Sequence, residues 1–346
     1  MKKIITIILT VILCFGLSVY HVEAANIVGN IEAFSIDMSN VENMLKKRRM
    51  QEFHIIGDYL YITERFAVDK DNLENDLAII KMKIIDNTTT NIKDDYMIIR
   101  NAGHGETLDA YTYNGNVYFL IGCKAGNNGD FFSTQIGRVE YDAGRIMDYT
   151  KVQRLTGFDY ANKKSTDNGT VTRVAACCSE KRIKFITYLE KKNKNNNIIK
   201  YLQYSNYDLN VVNDIIEKNY KKNELYTSFK NNNSLKKACV NSNLIKRVKG
   251  VEELPNESFQ GIEAKGEFNY IAGGGSSDTY PIIWKLKNGV KQSSYKILNY
   301  TNVDKSVINA NNTEIEGLCI VNDELYFALV KSTTEIHIIK TSLTNF

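Results

Sequence analysis

The sequence predicts an all-β fold, on three observations. A short cadence recurs five times along 346 residues: a polar or carboxylate-bearing lead-in, a tight turn, an aromatic strand and a second apolar strand. The composition, with 21 Tyr and 14 Phe against one Trp and two Pro, suits many strands closed by Gly, Asn and Asp turns. Amphipathic helical periodicity is scarce, which argues against parallel α/β folds, and the matched aromatic positions at wide spacing argue against a β-sandwich. Units repeating at about 50–85 residues, with up to four strands apiece, make a radial array, a five-bladed β-propeller.

The five copies are residues 51–62, 106–120, 172–186, 258–271 and 314–328. Aligning them puts Tyr61, Phe119, Phe185, Tyr270 and Phe327 at one equivalent strand position, just beyond Gly-Asp, Asn-Gly, Glu-Lys, Lys-Gly and Asn-Asp turns. A second strand follows in each unit, at 77–84, 134–141, 198–204, 281–286 and 335–342. A further one precedes the next lead-in at 96–100, 151–155 and 295–300. The last unit meets Phe346 before it can form a fourth strand, so residues 30–37 are expected to supply it and close the ring. Residues 39–50 suit a short helix ahead of the first unit.

The first 24 residues carry Lys2 and Lys3, an apolar run over 4–19 and then Val22-Glu23-Ala24, the tripartite pattern of a secretory signal peptide cleaved near Ala24. The run is shorter than the roughly 20 residues of a membrane span, and Cys14 lacks the preceding small residues of a lipobox. The expectation is a secreted, extracellular protein with no stable membrane span and one domain over 25–346. Losing Lys2, Lys3 and Glu23 takes the formal charge from +4 to +3. This mild basicity does not call for nucleic acid and is compatible with anionic cell-surface polymers.

Six cysteines become five once Cys14 is removed, so at least one thiol is unpaired or pairs between chains. Cys177 and Cys178 adjoin on a strand and face opposite sides, which argues against a bond between them. Cys123, Cys177 and Cys319 read as small buried hydrophobes. There is no CxxC pair or Cys/His zinc spacing. The Asn/Lys-rich tract at 193–197 and 218–249 reads as a solvated, partly mobile basic insertion, with a patch gripping phosphate-rich polymers as the functional alternative.

The innermost strand of each blade lines a propeller's axis, so the lead-ins converge there. They bring His104, Glu106, Asp109, Arg173, Gln260, Glu263, Glu314 and Glu316 to one funnel. Glu314 and Glu316, two apart on a strand, can point the same way. Three readings remain open: a binding pocket; a carboxylate pair hydrolysing a glycosidic bond, or carboxylates holding calcium; and polar ties between neighbouring blades. No other cofactor is implied. Gly273-Gly274-Gly275-Ser276-Ser277 lacks the Lys of a phosphate loop, and Asp69-Lys70-Asp71-Asn72-Leu73 breaks the calcium-loop pattern at Leu73. HExxH and GxSxG do not occur, and His54, between Phe53 and Ile55, reads as a packed strand residue.

The ordered series Gly103-His104-Gly105-Glu106-Thr107-Leu108-Asp109, Gln135-Ile136-Gly137-Arg138-Val139-Glu140, the segment 172–185, Ser258-Phe259-Gln260-Gly261 and Glu314-Ile315-Glu316 resembles the repeat motifs of the helveticin J family of large, heat-labile bacteriocins. The resemblance spans nearly all of the chain after residue 24. It implies a five-bladed propeller related to those of phage receptor-binding and teichoic-acid-related proteins. It further implies a secreted antibacterial protein that binds a glycopolymer of competing bacteria, such as teichoic acid or peptidoglycan, with an immunity protein in the producer. Arg173 and Ala175 stand where the family's third repeat tends to carry His and Glu, and Glu106 and Leu108 where Gln and Trp are typical. The alternative is a secreted glycoside hydrolase or lyase acting through funnel carboxylates on wall or extracellular polysaccharide.

Overall fold

A computed structural model describes residues 25–26, 29–38, 50–66, 75–127, 131–248, 251–275 and 279–346. The signal-peptide segment, residues 39–49 of the expected short helix and the loop at 69–73 lie outside the described residues.

Five four-stranded antiparallel sheets stand around one axis. Blade 1 is Met50–Ile56, Tyr59–Phe66, Asp76–Ile85 and Thr88–Arg100. Blade 2 is Leu108–Tyr113, Asn116–Ala125, Ser133–Val139 and Gln153–Thr156. Blade 3 is Thr170–Ser179, Arg182–Lys192, Ile198–Asp208 and Cys239–Lys246. Blade 4 is Gly261–Lys265, Phe268–Gly273, Ile282–Lys287 and Val290–Lys296, with Ala25–Asn26 added parallel at its outer edge. Blade 5 is Glu314–Val321, Glu324–Val330 and Ile336–Ser342, completed by Ile31–Ile36, which runs antiparallel to Ile336–Ser342. The predicted closure by residues 30–37 is therefore present. Its strand also touches the outermost strand of blade 1 through Ser35 and Thr88.

Alternation along the strands sends side chains to both faces of each sheet, and both faces are buried. Five separate apolar clusters result, one per junction between adjacent blades. Phe34, Phe53, Ile62 and Ile338 pack between blades 5 and 1, and Leu77, Leu108, Phe119 and Val139 between blades 1 and 2. Leu120, Val174, Phe185 and Tyr207 fill the next junction, Ile186, Phe259, Ile271 and Trp284 the one after, and Tyr270, Leu318, Phe327 and Ile339 the last.

These junctions correct one expectation. Phe119, Phe185 and Phe327 each face the preceding blade, whereas Tyr61 and Tyr270 face the following one. Ile62 and Ile271 are the true equivalents of the three phenylalanines. One residue of slip between turn and aromatic exchanges the two sides of a strand.

The tract at 218–249 is also corrected: its described residues, 218–248, are integral to the fold. Asp208 caps the helix Leu209–Tyr220 by accepting from Val211 N. Leu209, Val212 and Ile216, spaced three and four apart, seat it on the junction between blades 2 and 3. Tyr226–Ser228 then adds a parallel strand at the edge of blade 2, and Cys239–Lys246 is the outer strand of blade 3. Lys218, Lys221, Lys222, Lys236 and Lys237 occupy the remaining, exposed face.

All five described cysteines are free thiols. Cys177 packs in the junction between blades 3 and 4 and Cys178 against that between blades 2 and 3, on opposite faces as expected. Among the described residues no helix is long and apolar enough to cross a membrane.

Candidate functional site

The innermost strands meet one another around the axis, and their first residues form a mouth. There Arg173 of blade 3 reaches both neighbouring blades. Its guanidinium lies 2.7 Å from Glu106 Oε1 and donates to the carbonyl of Phe259. It also covers the Phe132 and Phe259 rings, at 4.1 and 3.8 Å from their centroids. The stack continues outward on both sides. His104 stacks on Phe132 at 4.9 Å, with Arg65 Nη1 2.9 Å from its Nδ1. Tyr188 stacks on Phe259 at 5.4 Å, with Arg247 5.2 Å from the Tyr188 ring. Two rings thus separate each pair of successive cations from Arg65 through Arg173 to Arg247. Arg173 and Glu106 are buried at its centre, while Arg65, His104, Phe132, Tyr188 and Arg247 keep partial exposure.

Beside this stack, between blades 2 and 3, an open cleft of about 550 Å³ is lined by Lys124, Thr134, Gln135, Asp159, Thr170 and Thr172. Gln135 Oε1 is buried there without a hydrogen-bond partner among the described residues. Burial, with the Asp167 charge adding to it, raises the Asp159 carboxyl above its ordinary pKa. Amide, hydroxyl, ammonium and carboxyl groups in one open cleft match the donors and acceptors of a sugar.

Deeper along the axis a second pattern recurs in three blades. Glu52 accepts from its own next amide, Phe53 N, at 3.0 Å and from Leu318 N of blade 5 at 2.9 Å. Asp109 accepts from Ala110 N at 2.7 Å and from Cys178 N of blade 3. Glu263 accepts from Ala264 N at 2.7 Å and from Ile320 N of blade 5 at 3.3 Å. Thr107 Oγ1 likewise accepts from Ala176 N at 3.2 Å. Each inner-strand side chain therefore pairs a backbone donor that the neighbouring blade would otherwise bury unpaired. A bulge in the blade 5 strand at Gly317, with φ of 80°, presents Leu318 N to Glu52. A Cβ at Gly317 would run into that carboxylate.

Burial pushes Glu52 and Glu263 well above the ordinary carboxylate range, and the charges of neighbouring carboxylates add to it. Burial raises Asp109 too, against the opposing pull of His54. His54 Nδ1 stands 3.2 Å from Asp109 Oδ1 and 3.8 Å from Cys319 Sγ. Burial lowers the pKa of His54 and raises that of Cys319.

The eight residues expected at the funnel divide accordingly. Glu106, Asp109, Arg173, Glu263 and Glu316 are buried. His104, Gln260 and Glu314 keep partial exposure at the mouth, Gln260 Nε2 donating to Glu314 Oε1 at 2.8 Å. Blade-to-blade ties are present through Asp109, Arg173 and Glu263. Sequence reasoning missed Arg65, Phe132 and Tyr188 because they come from second strands and loops, not lead-ins, and it placed Arg247 in the basic tract at 218–249, not at the mouth. It missed Glu52 although this residue stands in the first copy. The Phe131-Phe132 pair, just ahead of Ser133–Val139, is the signal that could have drawn attention to the mouth.

No protein-family model matches this chain, and no curated protein does. Solved structures of similar chain path include the catalytic domain of a GH62 α-L-arabinofuranosidase from Coprinopsis cinerea, at 7% identity over 90% of this chain and 97% of that one, TM-score 0.44. A glycosyl hydrolase from Bacteroides ovatus aligns at 6% identity over 94% and 93%, TM-score 0.41. The glutaminyl cyclase of Myxococcus xanthus aligns at 7% identity over 92% and 100%, TM-score 0.37. Such distant likenesses assign no activity.

Proposed function

We propose that this protein is a glycan-directed propeller that binds an anionic surface glycopolymer at its funnel mouth. The observation that carries the reading is the open polar cleft between blades 2 and 3, lined by Lys124, Thr134, Asp159 and Thr172, with the half-exposed cations Arg65 and Arg247 at the ends of the stack at the mouth. The half-exposed cations suit phosphate or carboxylate on the polymer, and the hydroxyl and carboxyl groups of the cleft suit its sugar hydroxyls. In the finer reading, which rests on the motif resemblance, the polymer belongs to competing bacteria and the protein, once secreted, inhibits their growth. Calorimetry of the chain beginning at Ala25 against purified wall teichoic acid should give saturable, salt-weakened binding, reduced at least tenfold in a Lys124→Ala/Arg65→Ala variant. Unaltered binding by a folded double variant would remove the mouth as the site. Growth of related strains on lawns spotted with the protein tests the antibacterial part separately.

A second reading, hydrolysis of the glycan, is favoured by Asp159, which lines the open cleft and whose carboxyl burial raises above its ordinary pKa, as an acid catalyst requires. Release of reducing ends from wall polysaccharide, lost in Asp159→Asn, would establish hydrolysis. Saturable binding without release would leave recognition as the whole activity.

A further inference from the structure

We propose that the propeller axis holds a zinc-type divalent ion, bound by His54, Glu263 and Cys319. These residues come from blades 1, 4 and 5, and their ligand atoms lie within 4.8 Å of one another. They are 54, 263 and 319 in the chain, so no local spacing motif announces them. Zinc bonds of about 2.0–2.1 Å to nitrogen and about 2.3 Å to sulfur put a tetrahedral N···S edge near 3.6 Å. His54 Nδ1 and Cys319 Sγ are already 3.8 Å apart.

The surroundings are built as metal sites are. Glu263 is oriented by Ala264 N and Ile320 N, as outer hydrogen-bond donors orient a metal-bound carboxylate. Asp109 Oδ1 lies 3.2 Å from His54 Nδ1, the atom that would bind the ion, so metal binding replaces that contact. One carboxylate and one thiolate balance a dication, and the buried Lys184 of blade 3 stands close enough to act electrostatically on Glu263. Imidazole and thiolate donors select zinc over calcium. Three protein ligands leave the fourth tetrahedral position to water. The ion would pin three blades at the centre of the ring.

The test uses cobalt as a spectroscopic stand-in. The protein is stripped by chelator, with unfolding and refolding included so that a closed ring cannot block entry, and is then titrated with Co²⁺. One equivalent is expected to bind, with a thiolate-to-cobalt charge-transfer band that Zn²⁺ bleaches. Cys319→Ser should abolish the band and weaken binding at least tenfold, while Cys123→Ser, remote in the junction between blades 1 and 2, keeps both. Absence of the band in the refolded wild-type protein overturns the proposal without reference to any variant. So does a band that survives in Cys319→Ser.

Discussion

Arg173 is the residue whose replacement separates a structural funnel from a binding one. It is 4% exposed and its partner Glu106 2%. Their contact at 2.7 Å joins blades 2 and 3, and the Phe259 carbonyl ties the same guanidinium to blade 4. Removing one member of a buried pair leaves the other charge without compensation, at about 3–5 kcal/mol. Arg173→Met and Glu106→Gln should each lose that much. The double variant should lose clearly less than their sum, with a coupling of about 2 kcal/mol, because neither charge is then stranded. Urea unfolding followed by fluorescence reads this well: Trp284, the sole tryptophan, is buried in the same junction as Phe259. Two losses below about 1 kcal/mol that simply add would match an exposed pair. They would return Arg173 to the ligand-facing role expected from its place in the third lead-in.

Two further outcomes concern pH. Burial raises Glu52, so its folded state holds a proton longer than its unfolded state; its contribution is complete below the ordinary carboxylate pKa and fades as pH rises through the folded value. Glu52→Gln, which still presents an oxygen to Leu318 N, should be near neutral at pH 5 and more stable than wild type at pH 8 by urea midpoint. His337 lies 2.6 Å from Glu32 across the ring closure, and this hydrogen bond raises its pKa. That stabilisation is full below the ordinary histidine value and is lost as pH rises through the raised one. His337→Gln should flatten this part of the melting-temperature profile, and an unchanged profile would assign the dependence to the axial carboxyls alone.

The blade cadence was legible because strand alternation and turn chemistry are local, and each copy carries both. Ring closure was legible for a different reason, since a missing fourth strand in one unit and a spare strand at 30–37 leave one pairing. The aromatic register was misread at Tyr61 and Tyr270, where the turn-to-aromatic distance alone does not say which face a side chain takes. The helix Leu209–Tyr220 went unread because all but its last three residues precede the basic tract, although Leu209, Val212 and Ile216 carried its apolar spacing. The axial cluster was beyond reach. His54, Glu263 and Cys319 meet only because five inner strands converge, and nothing in the first lead-in foretells the last.

The contact between Glu32 and His337 spans 305 residues of chain. Each other blade draws its four antiparallel strands from one continuous stretch of sequence, and the distant segments Tyr226–Ser228 and Ala25–Asn26 only add parallel edges to blades 2 and 4. The fifth waits for a strand that precedes all the others, so its last hydrogen bonds carry the loop-closure entropy of the entire ring. Until then two junctions, between blades 4 and 5 and between blades 5 and 1, depend on a sheet lacking its outer strand. The protein is thus a belt with one buckle: loss of Ile336–Ser342 from one side or Ile31–Ile36 from the other opens the same gap. Residues at the two fastening strands, far from the mouth, thereby govern whether the funnel keeps its shape.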